Sequence, residues 1–427
     1  MAGKFIIYML ITPLLMKKIF IYSFALLALA ACSKGGDLKG DYMDAAAPDA
    51  YFEGTDGAPE GGGGDGNGNA ASGLLTAGEW CDLDHWDFWS NLMTREPKEA
   101  EDPAQAVPDY ASMAYSWGFN TSRRVAVLVK DAAGAPAVNV PVELLRGETV
   151  LWSARTSNEG RAELWLDLFT PKGQETSAEG LSVRIDGAVQ EQPAVVTTFS
   201  AEAVALNEYV VSPSKAPESK ADIAFIVDAT GSMTDEILFL KQDLMSILER
   251  VRESNTNVEI STGAVFYRDE GDDYITRFSP FGTPSSTIGY IQEQYANGGG
   301  DLPEAVHAAL EVALKNLSWN ADARARLAFL VLDAPAHGDR PYVIKSLQES
   351  IRDFSSKGIR LIPVLASTGD KTTEFMCRDF AIVSGGTYVF ITDDSGIGGS
   401  HLTPTVGEYQ VEKLNDLMFR LIEAYIK

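Results

Sequence analysis

The sequence predicts an α/β fold, a doubly wound and mostly parallel sheet, preceded by a β-sandwich domain. Three observations predict it. From Ala221 onward, short apolar strand-like runs alternate with stretches whose apolar residues recur every three or four positions, the pattern of βα units. Between Arg124 and Leu166 the period is two, with turn residues at short intervals, as in a sandwich. At Asp228 the first α/β strand gives way to oxygen-bearing side chains, at the place where open α/β sheets bind ligands.

Bulk composition narrows the function classes. The chain has 427 residues, 45% hydrophobic and 22% charged, enough for two to three domains. Lys and Arg total 35 against 60 acidic residues, a net charge of −25. That excludes nucleic acid, which needs a basic face, and electrostatic docking to anionic lipid. Cys32, Cys81 and Cys377 show no CxxC or zinc spacing. A Cys81–Cys377 disulfide and two free thiols are both open at this point.

In chain order, residues 1–32 read as a secretion signal: Lys17-Lys18, then the apolar run Ile19 to Ala31. That run is shorter than the ~20 residues of a membrane span. A start at Met16 gives a tidier signal. Leu29-Ala30-Ala31-Cys32 resembles the bacterial lipobox, which implies a diacylglycerol on Cys32 and a cell-envelope location, with Ser33 compatible with the outer membrane. Residues 33–73, rich in Gly, Asp, Ala and Pro, read as a flexible tether. Residues 74–118 are dense in rings, including Trp80, Trp86, Trp89, Tyr110 and Trp117, interleaved with Asp82, Asp84 and Asp87. Rings beside carboxylates bind sugars in some proteins; packing on a neighbouring domain is the favoured reading.

Residues 119–213 carry the sandwich pattern. Val125, Val127 and Val129 alternate with their neighbours, as do Val140, Val142 and Leu144, then Ala162, Leu164 and Leu166, with Asp131-Ala132-Ala133-Gly134 and Thr156-Ser157-Asn158-Glu159-Gly160 as turns. The layout resembles carboxypeptidase-regulatory-like domains, which act as spacers, so a stalk is expected here. Pro213 and Pro217 mark a linker.

Residues 221–427 hold the α/β pattern. Ile223 to Val227 reads as a strand buried on both faces. Met233, Ile237, Leu240, Leu244, Ile247, Leu248 and Val251 follow at helical steps. Strands are expected at 258–267, 274–278 (an antiparallel edge), 327–332, 359–365 and 386–391, and helices at 302–317, 342–354 and 415–425.

The chemistry centres on Asp228, Thr230 and Ser232, hard oxygens on alternate positions that suit Mg2+, Mn2+ or Ca2+. Asp228-x-Thr230-x-Ser232 resembles the first motif of the metal-ion-dependent adhesion site of von Willebrand factor type A domains. Gly298-Gly299-Gly300-Asp301-Leu302-Pro303-Glu304-Ala305 resembles the second metal loop, with Asp where Thr is usual. Leu330-Val331-Leu332-Asp333-Ala334-Pro335-Ala336-His337-Gly338 resembles the third, strand-terminal Asp loop. The Phe266-Tyr267-Arg268-Asp269 piece and the Gly-Gly-Asp-x-Pro-Glu form point to the hemicentin-like and α-kinase-like branch.

The resemblance implies a Rossmann-like fold and an octahedral Mg2+ site with an open position. Thr230, Ser232 and Asp301 would touch the ion or its waters, while Asp228 and Asp333 would hold waters and hydroxyls. In the family a partner's carboxylate fills the open position. Asp301 adds negative charge, which tightens the metal and weakens capture of an anionic ligand. His337 is expected to satisfy a loop hydrogen bond, and the acidic run at Asp269, Glu270, Asp272 and Asp273 to be solvated. No GxSxG, GxxxxGK[ST] or HExxH occurs, so an enzyme is not expected. The functional expectation is a lipid-anchored envelope protein presenting a cation-dependent protein-binding domain on a stalk. The alternative is a non-adhesive scaffold or assembly factor using the same domain.

Overall fold

The computed structural model describes residues 73–99, 108–300, 302–397 and 399–427. The signal, Cys32, the tether up to residue 72 and Asp301 lie outside them. Among the described residues no helix is long and apolar enough to cross a membrane.

The described chain opens with β1 (Thr76–Trp80), α1 (Trp86–Thr94) and α2 (Tyr110–Trp117). Then come the sandwich strands: β2 (Arg123–Lys130), β3 (Pro141–Arg146), β4 (Thr149–Arg155), β5 (Arg161–Trp165), β6 (Leu181–Ile185), β7 (Ala188–Pro193), β8 (Thr197–Thr198) and β9 (Leu206–Val210). They form two four-stranded sheets: β5-β2-β8 with β9 beside β2, and β4-β3-β6-β7. The period-two residues do what the pattern requires. Val125, Val127, Val142, Leu144, Leu164 and Val183 share one buried core, and several of the residues between them, Arg124, Ala126 and Glu163, are covered on the other face as well.

The α/β part runs β10 (Glu218–Asp228), α3 (Thr234–Ser254), β11 (Glu259–Tyr267), β12 (Thr276–Gly282), α4 (Pro284–Gln292), α5 (Val306–Asn316), β13 (Ala323–Leu332), α6 (Pro341–Lys357), β14 (Arg360–Leu365), α7 (Lys371–Ser384), β15 (Tyr388–Thr392), β16 (Glu412–Lys413) and α8 (Leu414–Ile426). The sheet order is β12-β11-β10-β13-β14-β15-β1-β16. β11, β10, β13, β14 and β15 run parallel, with β12 antiparallel at one edge and β1 antiparallel to β15 and β16 near the other. Alternate residues of β10 enter opposite cores: Ile223, Phe225 and Val227 pack with α3 and α8, Ala224 and Ile226 with α5 and α6. A strand with both faces covered reads as a continuous apolar run.

Two expectations are corrected. The sheet does not begin at residue 221, because β1 from the aromatic-rich segment pairs with β15 over Thr76–Trp80. The sandwich is therefore inserted between two strands of one sheet. Nor is it a stalk. Its core is continuous with that of α5, α6 and α7, and polar bonds tie the two together. The Trp152 indole donates to Ser355 Oγ at 3.0 Å, Asn139 to the Ala321 carbonyl at 3.0 Å and Arg360 to the Arg155 carbonyl at 2.7 Å.

Of the rings of residues 74–118, Trp80, Trp86, Trp89, Tyr110 and Trp117 are buried, while Tyr115 stays exposed. Trp89 is fully buried, stacks on Phe375 of α7 with ring centroids 6.1 Å apart and donates to Thr121 Oγ1 at 3.0 Å. Asp82 pairs with the buried Arg378 of α7 at 2.6 Å. Cys81 and Cys377 are free thiols.

Candidate metal centre

Three loops meet at the carboxyl ends of β10 and β13. β10 delivers Asp228 fully buried, and the chain turns at once through Gly231–Met233 into α3. The turn makes Asp228 Oδ1 an acceptor for the Thr230 N–H at 2.9 Å and the Thr230 hydroxyl at 2.7 Å. Thr230 Oγ1 stands 3.1 Å from Ser232 Oγ. Asp333 follows β13 directly, and its Oδ2 accepts from Thr368 Oγ1 at 3.2 Å. One carboxylate oxygen of each acid, Asp228 Oδ2 and Asp333 Oδ1, is buried without a hydrogen-bond partner.

The second loop is held by backbone geometry. Gly298 and Gly299 have φ of 81° and 72°, the left-handed region that favours glycine. Gly231 N–H donates to the Gly298 carbonyl at 3.0 Å, and Gly299 N–H to Asp272 Oδ2 at 2.9 Å. A Cβ on Gly298 would sit 2.3 Å from Asp272 Oδ1, so the loop closes on this carboxylate only with glycine. The acidic run is therefore not simply solvated: Asp272 anchors the glycine loop, and the buried Asp269 takes a 2.7 Å contact from His337 Nε2. His337 makes the loop contact expected of it.

The structure thus brings Thr230, Ser232 and Asp333 to one cleft of about 270 Å3, which Glu304 and Thr368 also line, with the buried Asp228 bonded to Thr230. Asp301 lies outside the described residues. Glu304 was not singled out from the sequence, although it stands in the glycine-loop motif. It is 2% exposed, and its Oε2 has no partner. Among the described residues no three His, Cys, Asp or Glu side chains form a metal-holding group by themselves. The hydroxyls of Thr230 and Ser232 are further oxygen donors at this cleft.

The electrostatics are those of crowded acids. Burial, then the Asp333 charge, pushes Asp228 up to about 7 against the opposing bonds from Thr230. Burial raises Asp333, with the Ser232 and Thr368 hydroxyls opposing. Burial, then the charges of Asp228, Asp269, Asp333 and Asp272, pushes Glu304 up to about 9. A cation among such groups inverts this balance. The orphaned oxygens and flanking hydroxyls fit a hard, oxygen-seeking ion.

Comparison with known proteins bears on the family of the α/β part. A family model described as von Willebrand factor A domain matches residues 222–392. Alpha-protein kinase vwkA of Dictyostelium discoideum is 31% identical over 211 residues, 48% of this chain and 33% of that one. Hemicentin-2 of Mus musculus is 30% identical over 126 residues, 28% of this chain and 2% of that one. The chain thus spans a third or less of these relatives' length. Proximal thread matrix protein 1 from the mussel byssus overlaps 38% of this chain, at 16% identity and a TM-score of 0.31. Domains of the matched family commonly serve adhesion or protein interaction, and residues 222–392 of this chain are a von Willebrand factor A domain.

Proposed function

We propose that this chain is a lipid-anchored cell-envelope protein, at the outer membrane, whose von Willebrand A domain binds a protein partner through a divalent cation. The observation that carries the reading is the pair of buried, partnerless oxygens on Asp228 and Asp333 beside the Thr230 and Ser232 hydroxyls. Buried polar atoms without partners are few in native proteins, and an ion is one of their ordinary explanations. Thr230, Ser232 and Asp301 would hold Mg2+, or Mn2+ or Ca2+, with Asp228 and Asp333 orienting its waters. Once bound, the ion supplies an open coordination position for a donor group of the partner, an acidic side chain by the family resemblance. No catalytic role is assigned.

A second reading, a non-adhesive scaffold or assembly factor, is favoured by one observation. The sandwich shares its core with α5–α7 instead of holding the domain away from the membrane. A pull-down from envelope extract, in Mg2+ and in chelator, tests the cation-dependent reading. A partner retained in Mg2+ is expected to be lost in chelator and with Asp228→Ala. Equal retention in all three refutes cation-dependent binding.

A further inference from the structure

We propose that Glu304 is itself a ligand of the cation, binding it through a carboxylate oxygen. The proposal rests on the metal-centre reading above and adds a residue to it. Three observations carry it. First, the Glu304 side chain lines the same cleft as Thr230, Ser232 and Asp333. Second, it is 2% exposed and its Oε2 meets no donor among the described residues. A buried carboxylate oxygen left bare is costly, and a hard cation satisfies it where no N–H or O–H does. Third, the residue is fixed by its surroundings. Its N–H donates to the Pro335 carbonyl at 2.9 Å, and its own carbonyl accepts the Val306 N–H at 2.8 Å. Residue 304 bridges to Ala336 of the third loop. On the other side, Oε1 lies 3.3 Å from where a Cβ on Gly299 would stand, and Thr230 Cβ is equally near that point. The glycine leaves room for this carboxylate and the Thr230 side chain to approach the same point.

The consequence is chemical. Glu304 adds a negative charge to the ion's surroundings beside Asp228 and Asp333. The loaded centre holds its metal more tightly and is less receptive to a carboxylate from outside. Neutral donors of a partner, an amide or a hydroxyl, are then favoured at the open position.

The test uses the full chain with Mn2+ for affinity, by calorimetry, and Eu3+ for hydration, by luminescence lifetimes in H2O and D2O. Glu304→Gln keeps the shape and removes the charge; Glu304→Ala removes the side chain. For both, Mn2+ affinity should fall by more than the roughly 10–100-fold typical of losing an outer partner, and the bound Eu3+ should gain about one water, because coordination left open by the protein is taken by solvent. A fall in affinity with unchanged hydration would make Glu304 a positioning residue and overturn the proposal, as would unchanged affinity. Wild-type protein that binds neither ion would overturn the metal centre itself, a separate outcome. Far-ultraviolet dichroism confirms that each variant is folded.

Discussion

Mg2+ in place of chelator should raise the unfolding temperature of this chain, and by more at pH 8 than at pH 5. The reason lies in Asp228, which is 0% exposed. Burial first, and the Asp333 charge second, lift its pKa to about 7, against roughly 3.9 in an unfolded chain. A group whose folded value is raised contributes its stability in full below the unfolded value and loses it as pH climbs through the folded one. Without a cation, Asp228 therefore weakens the fold progressively from about pH 4 to pH 7, by at most about 4 kcal/mol. Asp333 and Glu304 shift in the same direction. A divalent ion screens the three acids and removes the penalty. At a hundredfold excess over Kd it adds about 2.7 kcal/mol, or roughly 3–4 °C in Tm for a unit in which the sandwich and the α/β part share one core. Scanning calorimetry at both pH values, in Mg2+ and in EDTA, reads the effect. Asp228→Asn should flatten the pH dependence of the chelated protein and collapse most of the Mg2+ shift. The reasoning fails if wild type melts identically in Mg2+ and EDTA at pH 8, or if Asp228→Asn keeps the full shift.

Two other predictions address the anchor and the loop beside the site. Cys32→Ala should move the protein from the membrane fraction to the soluble fraction on ultracentrifugation; continued sedimentation with membranes would argue against lipid anchoring. The His401 ring lies between Glu236 Oε1 at 2.9 Å and Asp393 Oδ1 at 2.7 Å. Burial pulls its pKa down, but the bonds to Glu236 and Asp393 outweigh that and hold it above the ordinary histidine value. Its stabilisation is full below about pH 6.5 and is lost as pH rises through the folded value. His401→Gln should thus cost about 1.5–3 kcal/mol at pH 5.5 and much less at pH 9 in urea titrations. Equal losses at the two pH values would show that the imidazolium contributes nothing.

The parts of this molecule that were legible in the sequence are those whose cause is local. Asp228, Thr230 and Ser232 sit on alternate positions after a strand, and the turn that joins them is made of their own bonds. β10, β11, β13 and β14 read correctly because a strand covered on both faces leaves a continuous apolar run. Helix α7 did not. Residues Thr373 to Ser384 are all buried, so no polar face marks a helical period. Its charges point inward instead: Arg378 to Asp82, Glu374 to Lys371 and Thr405. Asp379 is buried with neither carboxyl oxygen bonded. The covering that hides the period comes from elsewhere in the chain, from Trp89, Tyr110 and Phe119 against Phe375 and Phe380. The same holds for Asp272 and Glu304, whose roles depend on where the glycine loop folds.

Strand β1 is the extreme case. Thr-Ala-Gly-Glu-Trp has no β-branched run, and its partner strand lies more than three hundred residues away. What selects it is fit: a Cβ on Gly78 would stand 2.6 Å from the Phe390 ring and 2.7 Å from that of Tyr409, so only glycine lets the strand lie under both rings. That pairing decides the architecture. With β1 and β10 in one sheet, the sandwich is tied to the α/β unit through both of its ends. A segment tethered twice has lost much of its freedom before any interface forms, so docking it onto α6 and α7 orders fewer additional degrees of freedom than docking a domain on a single linker. The Trp152–Ser355 and Arg360–Arg155 bonds then hold a partner already close at hand. A sandwich held this way shares its core with the α/β domain, and the distance between them is not set by a linker.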